Sequence, residues 1–137
     1  MNNNIQLDPY IFFTGNCREA MEFYQSVFGG ELVLQTHGEA LGEGAPEDWR
    51  EKIMHAFLSG GDARLMACDS KQANEEARKI ELSLSGSNEA RLREIFEKLS
   101  EGGKVKQPLE KQFWGDTFGR LWDRYGIDWM VNISQES

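Results

Sequence analysis

The chain has 137 residues, a length that fits one domain with its own buried core. Hydrophobic residues make up 39% and charged residues 28%, the balance of a globular protein rather than a disordered one. Net charge is −8, with Lys and Arg interspersed among acids, which argues against the basic stripe that nucleic acids require and against binding to anionic membranes.

No apolar run approaches the roughly 20 residues needed to span a bilayer. The opening MNNNIQLD has neither the basic nor the apolar region of a signal peptide. Cys17 and Cys68 are the only cysteines, too few for a disulfide framework or a four-thiolate zinc site. Both are expected to be reduced thiols in a cytoplasmic protein.

In chain order, PYIFF (9–13) predicts a strand. In the following GNCREAMEFYQSVFGGE, Asn16 predicts an N-cap with Glu19 as its capping-box partner. Ala20, Phe23, Tyr24, Val27 and Phe28 fall at helical spacing, and Gly29-Gly30 ends the helix. ELVLQTHG predicts a strand, and the acidic EALGEGAPEDWRE (39–51) a mobile loop suited to a lid. KIMHAFLSGGDARLMACD predicts a hairpin turning at Ser59–Asp62, and residues 70–78 a polar linker. The order then repeats. IELSLSG (80–86) alternates as a strand; SNEARLREIFEKLSEGG carries Leu92, Ile95, Phe96 and Leu99 on one helical face before a second Gly-Gly stop. KVKQPL predicts a short strand, and FWGDTFGRLWDRYGIDWMVNIS a hairpin turning at Asp123–Gly126. Each half therefore reads strand, helix, three strands. The expectation is an α+β single domain over 1–137, with modules at about 7–69 and 79–134.

The stretches PYIFFTGNCREAMEFYQSVFGGE, KIMHAFL, ARLMACD and FWGDTFGRLWDRYGIDWMVNI resemble the vicinal oxygen chelate (glyoxalase/bleomycin-resistance) superfamily, in its PhnB-like branch, also labelled 3-demethylubiquinone methyltransferase-like. The resemblance implies two βαβββ modules forming a curved mixed sheet around a cavity, and a homodimer whose cavities are completed across the interface. The methyltransferase label has no support in the sequence, because no Gly-rich loop follows a strand and opens a helix as S-adenosylmethionine binding needs.

Metal-dependent members of the superfamily place one His, Gln or Glu on each of four strands. Carried across by motif spacing, those positions fall at Pro9, Met66, Lys79 and Met130. A proline, two thioethers and an ammonium cannot together bind a hard divalent ion. A register shift of one offers Glu81 or Asp128 at most. No metal and no cofactor are expected.

If Pro9 and Met130 occupy old ligand positions, strand alternation sends Ile11 and Phe13 into the cavity with Pro9, and Asp128 and Asn132 with Met130. Arg64 and Cys68 join Met66; Glu81 and Ser83 join Lys79. Tyr10, Phe12, Leu65, Ala67, Ile80, Leu82, Leu84, Trp129, Val131 and Ile133 are then expected beneath the helices. Trp114 and Phe118 either border a pocket or seal a dimer or module interface. His55 is a candidate general base or a structural hydrogen-bonding group. Glu81, the other candidate catalytic residue, either orients a ligand or pairs with Lys79 or Arg64. Cys68 is a nucleophile or inert packing; Cys17, near a helix N-terminus, is expected to have a lowered pKa. His37 is expected to be exposed, and Trp49 is a candidate dimer contact.

Two functions follow, beside a third reading as a purely structural dimer with a filled cavity. One is a metal-free small-molecule-binding protein of the superfamily, working as a homodimer and holding an apolar or aromatic ligand between aromatic walls. The other is a PhnB-like enzyme of lyase, isomerase or dioxygenase type, with or without a divalent metal.

Overall fold

A computed structural model describes residues 6–71 and 80–135. The chain divides into two compact units, Met1–Glu75 and Glu76–Ser137. The first contains β1 (Tyr10–Phe13), α1 (Cys17–Phe28), β2 (Glu31–Thr36), α2 (His37–Leu41), two 3-10 turns, β3 (Ile53–Ser59) and β4 (Leu65–Asp69). The second contains β5 (Leu82–Gly86), α3 (Glu89–Ser100), β6 (Lys104–Lys111), β7 (Thr117–Trp122) and β8 (Asp128–Ile133). Each unit builds one four-stranded mixed sheet, ordered β1-β4-β3-β2 and β5-β8-β7-β6. In each, the first strand runs parallel to the last and the other neighbours are antiparallel. The duplicated βαβββ reading is thus the architecture seen.

One face of each sheet is buried against its helix. In the first unit Ala20, Met21, Tyr24, Val27 and Phe28 of α1 are buried with Ala56, Leu58, Leu65 and Ala67 of β3 and β4. In the second, Leu92, Ile95, Phe96 and Leu99 are buried with Leu121, Trp129, Val131 and Ile133. Each such large apolar side chain contributes roughly 1.5–3 kcal/mol by leaving water. The buried Trp129 indole donates to Asp123 Oδ2 at 2.8 Å, which satisfies its only polar atom.

Both Gly-Gly pairs do more than end helices. A Cβ on Gly30, whose φ is 96°, would strike the Ser59 carbonyl in the β3–β4 turn. A Cβ on Gly103 would strike the Trp122 carbonyl, where β7 enters its turn. Each helix exit passes over the hairpin that follows it, closely enough to exclude a side chain.

Several expectations are corrected. The N-terminus of α1 is not capped by Asn16, whose side chain makes no cap hydrogen bond. Asp69, at the end of β4, accepts instead from Gly15 N (2.8 Å) and Cys17 N (2.9 Å), and its other oxygen from Ile53 N (2.9 Å). Residues 39–51 are not an open loop throughout. The capping box is Thr36 with Glu39, and it starts α2; 3-10 turns follow at Gly42–Gly44 and Glu47–Trp49. Trp49 lies 6.1 Å from the His37 ring, with Lys71 Nζ 5.0 Å from its own centroid. His37 is half-buried rather than exposed, and its Nε2 is enclosed without a hydrogen bond. Ile80 is 76% exposed, because β5 begins only at Leu82. Most of the polar linker lies outside the described residues.

Candidate functional site

On the second sheet, alternation along β8 sends Trp129, Val131 and Ile133 toward α3 and leaves Asp128, Met130 and Asn132 on the opposite, open face. Register carries that face across the sheet. Trp122 pairs with Asp128, Arg120 with Met130, Phe118 with Asn132, and Ser83 with Met130.

A charged network stands in the middle of this face. Glu81, one residue before β5, reaches across β8 to Arg120 on β7. Arg120 Nη2 donates to Glu81 Oε2 at 2.6 Å, and Nε donates to both carboxylate oxygens at 3.2 Å. Lys106 of β6 donates to the same Oε2 at 2.8 Å and lies 3.6 Å from Asp128 Oδ1. That Oδ1 is buried and has no hydrogen bond. Hydrogen bonds from Arg120, then from Lys106, hold the Glu81 carboxyl below its usual range, against the opposing effect of burial. The same pair raises the Arg120 guanidinium. The Lys104 and Lys106 ammoniums lie 5.6 and 5.4 Å from the Trp122 ring centroid. Trp122 and Lys104 also line a cleft of about 360 Å³ together with Gly102, Gly103 and Arg124.

At the other end of β7, Trp114 packs edge-on against Phe118 (6.3 Å) and Phe113 (5.0 Å). Asn132 Nδ2 donates to Asp116 Oδ2 at 2.9 Å.

The first sheet has an open face too. Tyr10 pairs with Met66, Phe12 with Cys68, and Phe57 with Met66, so these side chains and His55 share one side. The Tyr10 hydroxyl lies 3.5 Å from His55 Nδ1, the outer limit of a hydrogen bond. Burial, then the neighbouring Cys68 thiol, pushes Tyr10 up to about 12. Burial also raises Cys68.

Comparison with known proteins places this geometry. The family profile of the Glyoxalase/Bleomycin resistance protein/Dioxygenase superfamily matches residues 6–131. The chain belongs to that superfamily. Protein PA1353 from Pseudomonas aeruginosa is similar at 39% identity and TM-score 0.82, over 96% of this chain and 99% of that one. A Bacillus cereus PhnB protein, described as a putative 3-demethylubiquinone-9 3-methyltransferase, is similar at 25% identity and TM-score 0.75, over 95% and 100%. Protein YjdN of Escherichia coli K12 is 26% identical over 141 residues, covering 95% of this chain and 96% of that protein.

As a glyoxalase-superfamily protein, the chain can be tested for the family's divalent metal. Met66 and Met130 offer thioethers on the open faces, Pro9 offers no donor, and Lys79 lies outside the described residues. Glu81 and Asp128 are engaged with Arg120 and Lys106. Among the described residues no three His, Cys, Asp or Glu side chains form a group able to hold a metal ion. This donor set does not fit a hard divalent ion.

The structure sorts the expected site residues. Glu81, Ser83, Phe118, Met130 and Asn132 share the open face of the second sheet, with Trp114 at its rim. His55, Met66 and Cys68 share that of the first. Ile11 and Phe13 do not: at 9% and 5% exposure they are buried on the helix side, and Tyr10 and Phe12, at 40% and 57%, take the open side. The parallel pairing to β4 sets this phase, since partners in a ladder share a face. Arg64 precedes β4 and bonds Asp8 at 3.0 and 3.2 Å, with its guanidinium 4.8 Å from the Phe57 ring centroid. Glu81 therefore pairs with Arg120 and Lys106, not with Arg64. Cys17 is fully buried, and burial followed by the Asp69 charge raises its thiol instead of lowering it. Arg120 and Lys106 were missed. Arg120 shares the parity of Phe118 and Trp122, which was signal enough to include it.

Proposed function

We propose that the protein is a metal-free small-molecule-binding member of the glyoxalase superfamily, and that the open face of the second sheet holds the ligand. The observation that carries this reading is the pairing of a fixed polar network with apolar flanks. Arg120 and Glu81 lock each other, while Phe118, Trp122 and Met130 surround them with side chains suited to an apolar or aromatic body. We further propose that the protein works as a cytoplasmic homodimer, as its superfamily resemblance implies. No helix among the described residues is long and apolar enough to cross a membrane, which accords with that location.

An aromatic fragment library tests the reading by amide NMR. Shifts should cluster at Phe118, Arg120, Trp122, Met130 and Asn132, and Met130→Trp should abolish them by filling the face. Fragments that bind only elsewhere, or none at all, would overturn it.

The Tyr10–His55 contact favours a second reading, an enzyme using acid–base chemistry on the first sheet. Glu81 suits that role poorly, because a carboxylate held ionised by two cations is a weak base. Turnover of any substrate that survives His55→Ala unchanged would eliminate it.

A further inference from the structure

Arg120 is only half used. Its Nε and Nη2 face Glu81, but Nη1 has no hydrogen-bonding partner among the described residues. Its side chain is 37% exposed, against 18% for Glu81, 19% for Lys106 and 10% for Asp128. A guanidinium has five N–H donors in a planar fork, and two of its edges can each take a carboxylate side-on. Glu81 fills one edge and thereby fixes the plane of the other. The Nη1–Nη2 edge is a pre-oriented, permanently charged donor pair on the open sheet face.

From this edge we infer that the ligand of the second sheet is a small organic carboxylate, whose anion docks on Arg120 and whose apolar body lies along Met130, Phe118 and Trp122. The inference rests on the binding reading above and names its ligand class. Three features support it. First, Met130 is the direct cross-strand partner of Arg120, and Phe118 and Trp122 flank it at i−2 and i+2 on the same face, so apolar surface borders the charged edge. Second, Lys106 is already shared between Glu81 and Asp128, so within this network the donors left for a carboxylate-sized group are those of the Arg120 edge. Third, the electrostatics favour an anion despite Glu81. A carboxylate on the free edge would touch the guanidinium directly while Glu81 sits on the opposite edge, and Lys106 beside Asp128 offsets that second negative charge.

Benzoate and its neutral isostere benzamide separate this inference from the broader reading. Both are titrated into ¹⁵N-labelled protein while the Arg120 Nε–H signal and the amides of Phe118, Trp122 and Met130 are followed. Benzoate should bind about tenfold or more tightly than benzamide, move the Arg120 side-chain signal, and weaken as salt is raised. In Arg120→Lys, which keeps a cation against Glu81, benzoate should fall to the affinity of benzamide while benzamide is unchanged. Equal affinities in the wild type, or benzoate binding that Arg120→Lys leaves intact, would overturn the carboxylate anchor. Benzamide binding on this face without a benzoate preference would do so while leaving the small-molecule reading standing. If neither compound perturbs the face, both readings fall.

Discussion

Arg120 Nη2 lies 2.6 Å from Glu81 Oε2, the shortest polar contact among the described residues of the second sheet's open face. It also sets a pH dependence. Glu81 is held below its usual value, so its contribution to stability is full above the unfolded carboxylate range and is lost as pH falls through the lower folded value. Glu81→Gln should cost about 1–2 kcal/mol at pH 7, the worth of charge-assisted hydrogen bonds that are partly solvated. In urea melts the difference between the two proteins should shrink as pH falls below the ordinary carboxylate range and the wild-type carboxyl begins to protonate. A difference that stays constant with pH would show that Glu81 acts through packing.

Asp69 is 3% exposed and accepts three backbone N–H bonds from the β1–α1 junction and the start of β3. Asp69→Ala leaves all three donors unpaired, those of Cys17 and Ile53 buried and that of Gly15 part-buried, at about 1 kcal/mol or more for each buried one. A loss of about 2 kcal/mol or more in denaturant unfolding is expected. By contrast Asn16→Ala should change stability by less than about 0.5 kcal/mol, because that side chain makes no cap bond.

The phase of β1 can be read by truncation. Phe13 is 5% exposed and Phe12 57% exposed. Phe13→Ala should destabilise by about 3–5 kcal/mol, the usual cost of emptying a core phenylalanine site, and Phe12→Ala by under about 1 kcal/mol. The reverse order, measured by chemical denaturation, would mean that β1 presents its other face to α1.

Neighbouring glycines should respond differently to alanine. Gly29 and Gly30 both have positive φ, 75° and 96°. A Cβ on Gly29 meets nothing within 4 Å, whereas one on Gly30 runs into the backbone of Ser59 and Gly61. Gly29→Ala should therefore cost about 1–3 kcal/mol, the backbone strain alone of an alanine at φ 75° and ψ −171°, a region that glycine occupies almost exclusively. Gly30→Ala should cost clearly more and perturb the β3–β4 turn amides by NMR. Equal losses for the two would remove the steric argument.

The candidate site is partly legible in sequence. Met130, Asn132, Phe118, Ser83 and Glu81 were placed by alternation within their own strands, and in the second sheet that parity holds. Ile11 and Phe13 were misplaced because YIFF is apolar on both parities, so nothing local says which side faces the helix. Arg64 precedes β4, and its guanidinium lies between Asp8 and the Phe57 ring of the open face, contacts that alternation within its own strand does not reveal.

The repeated strand–helix–three-strand order, the apolar faces of α1 and α3, and the glycine helix exits follow from the sequence alone. Each depends on residues a few positions apart, through helical or strand period or through the φ that glycine permits. Tertiary structure alone decided the phase of β1, the cap on α1 and the partner of Glu81. Asp69 caps a backbone 52 residues before it, and Arg120 lies 39 residues beyond Glu81. Such pairs are chosen by strand order and register, and a chain acquires both only when its sheets assemble.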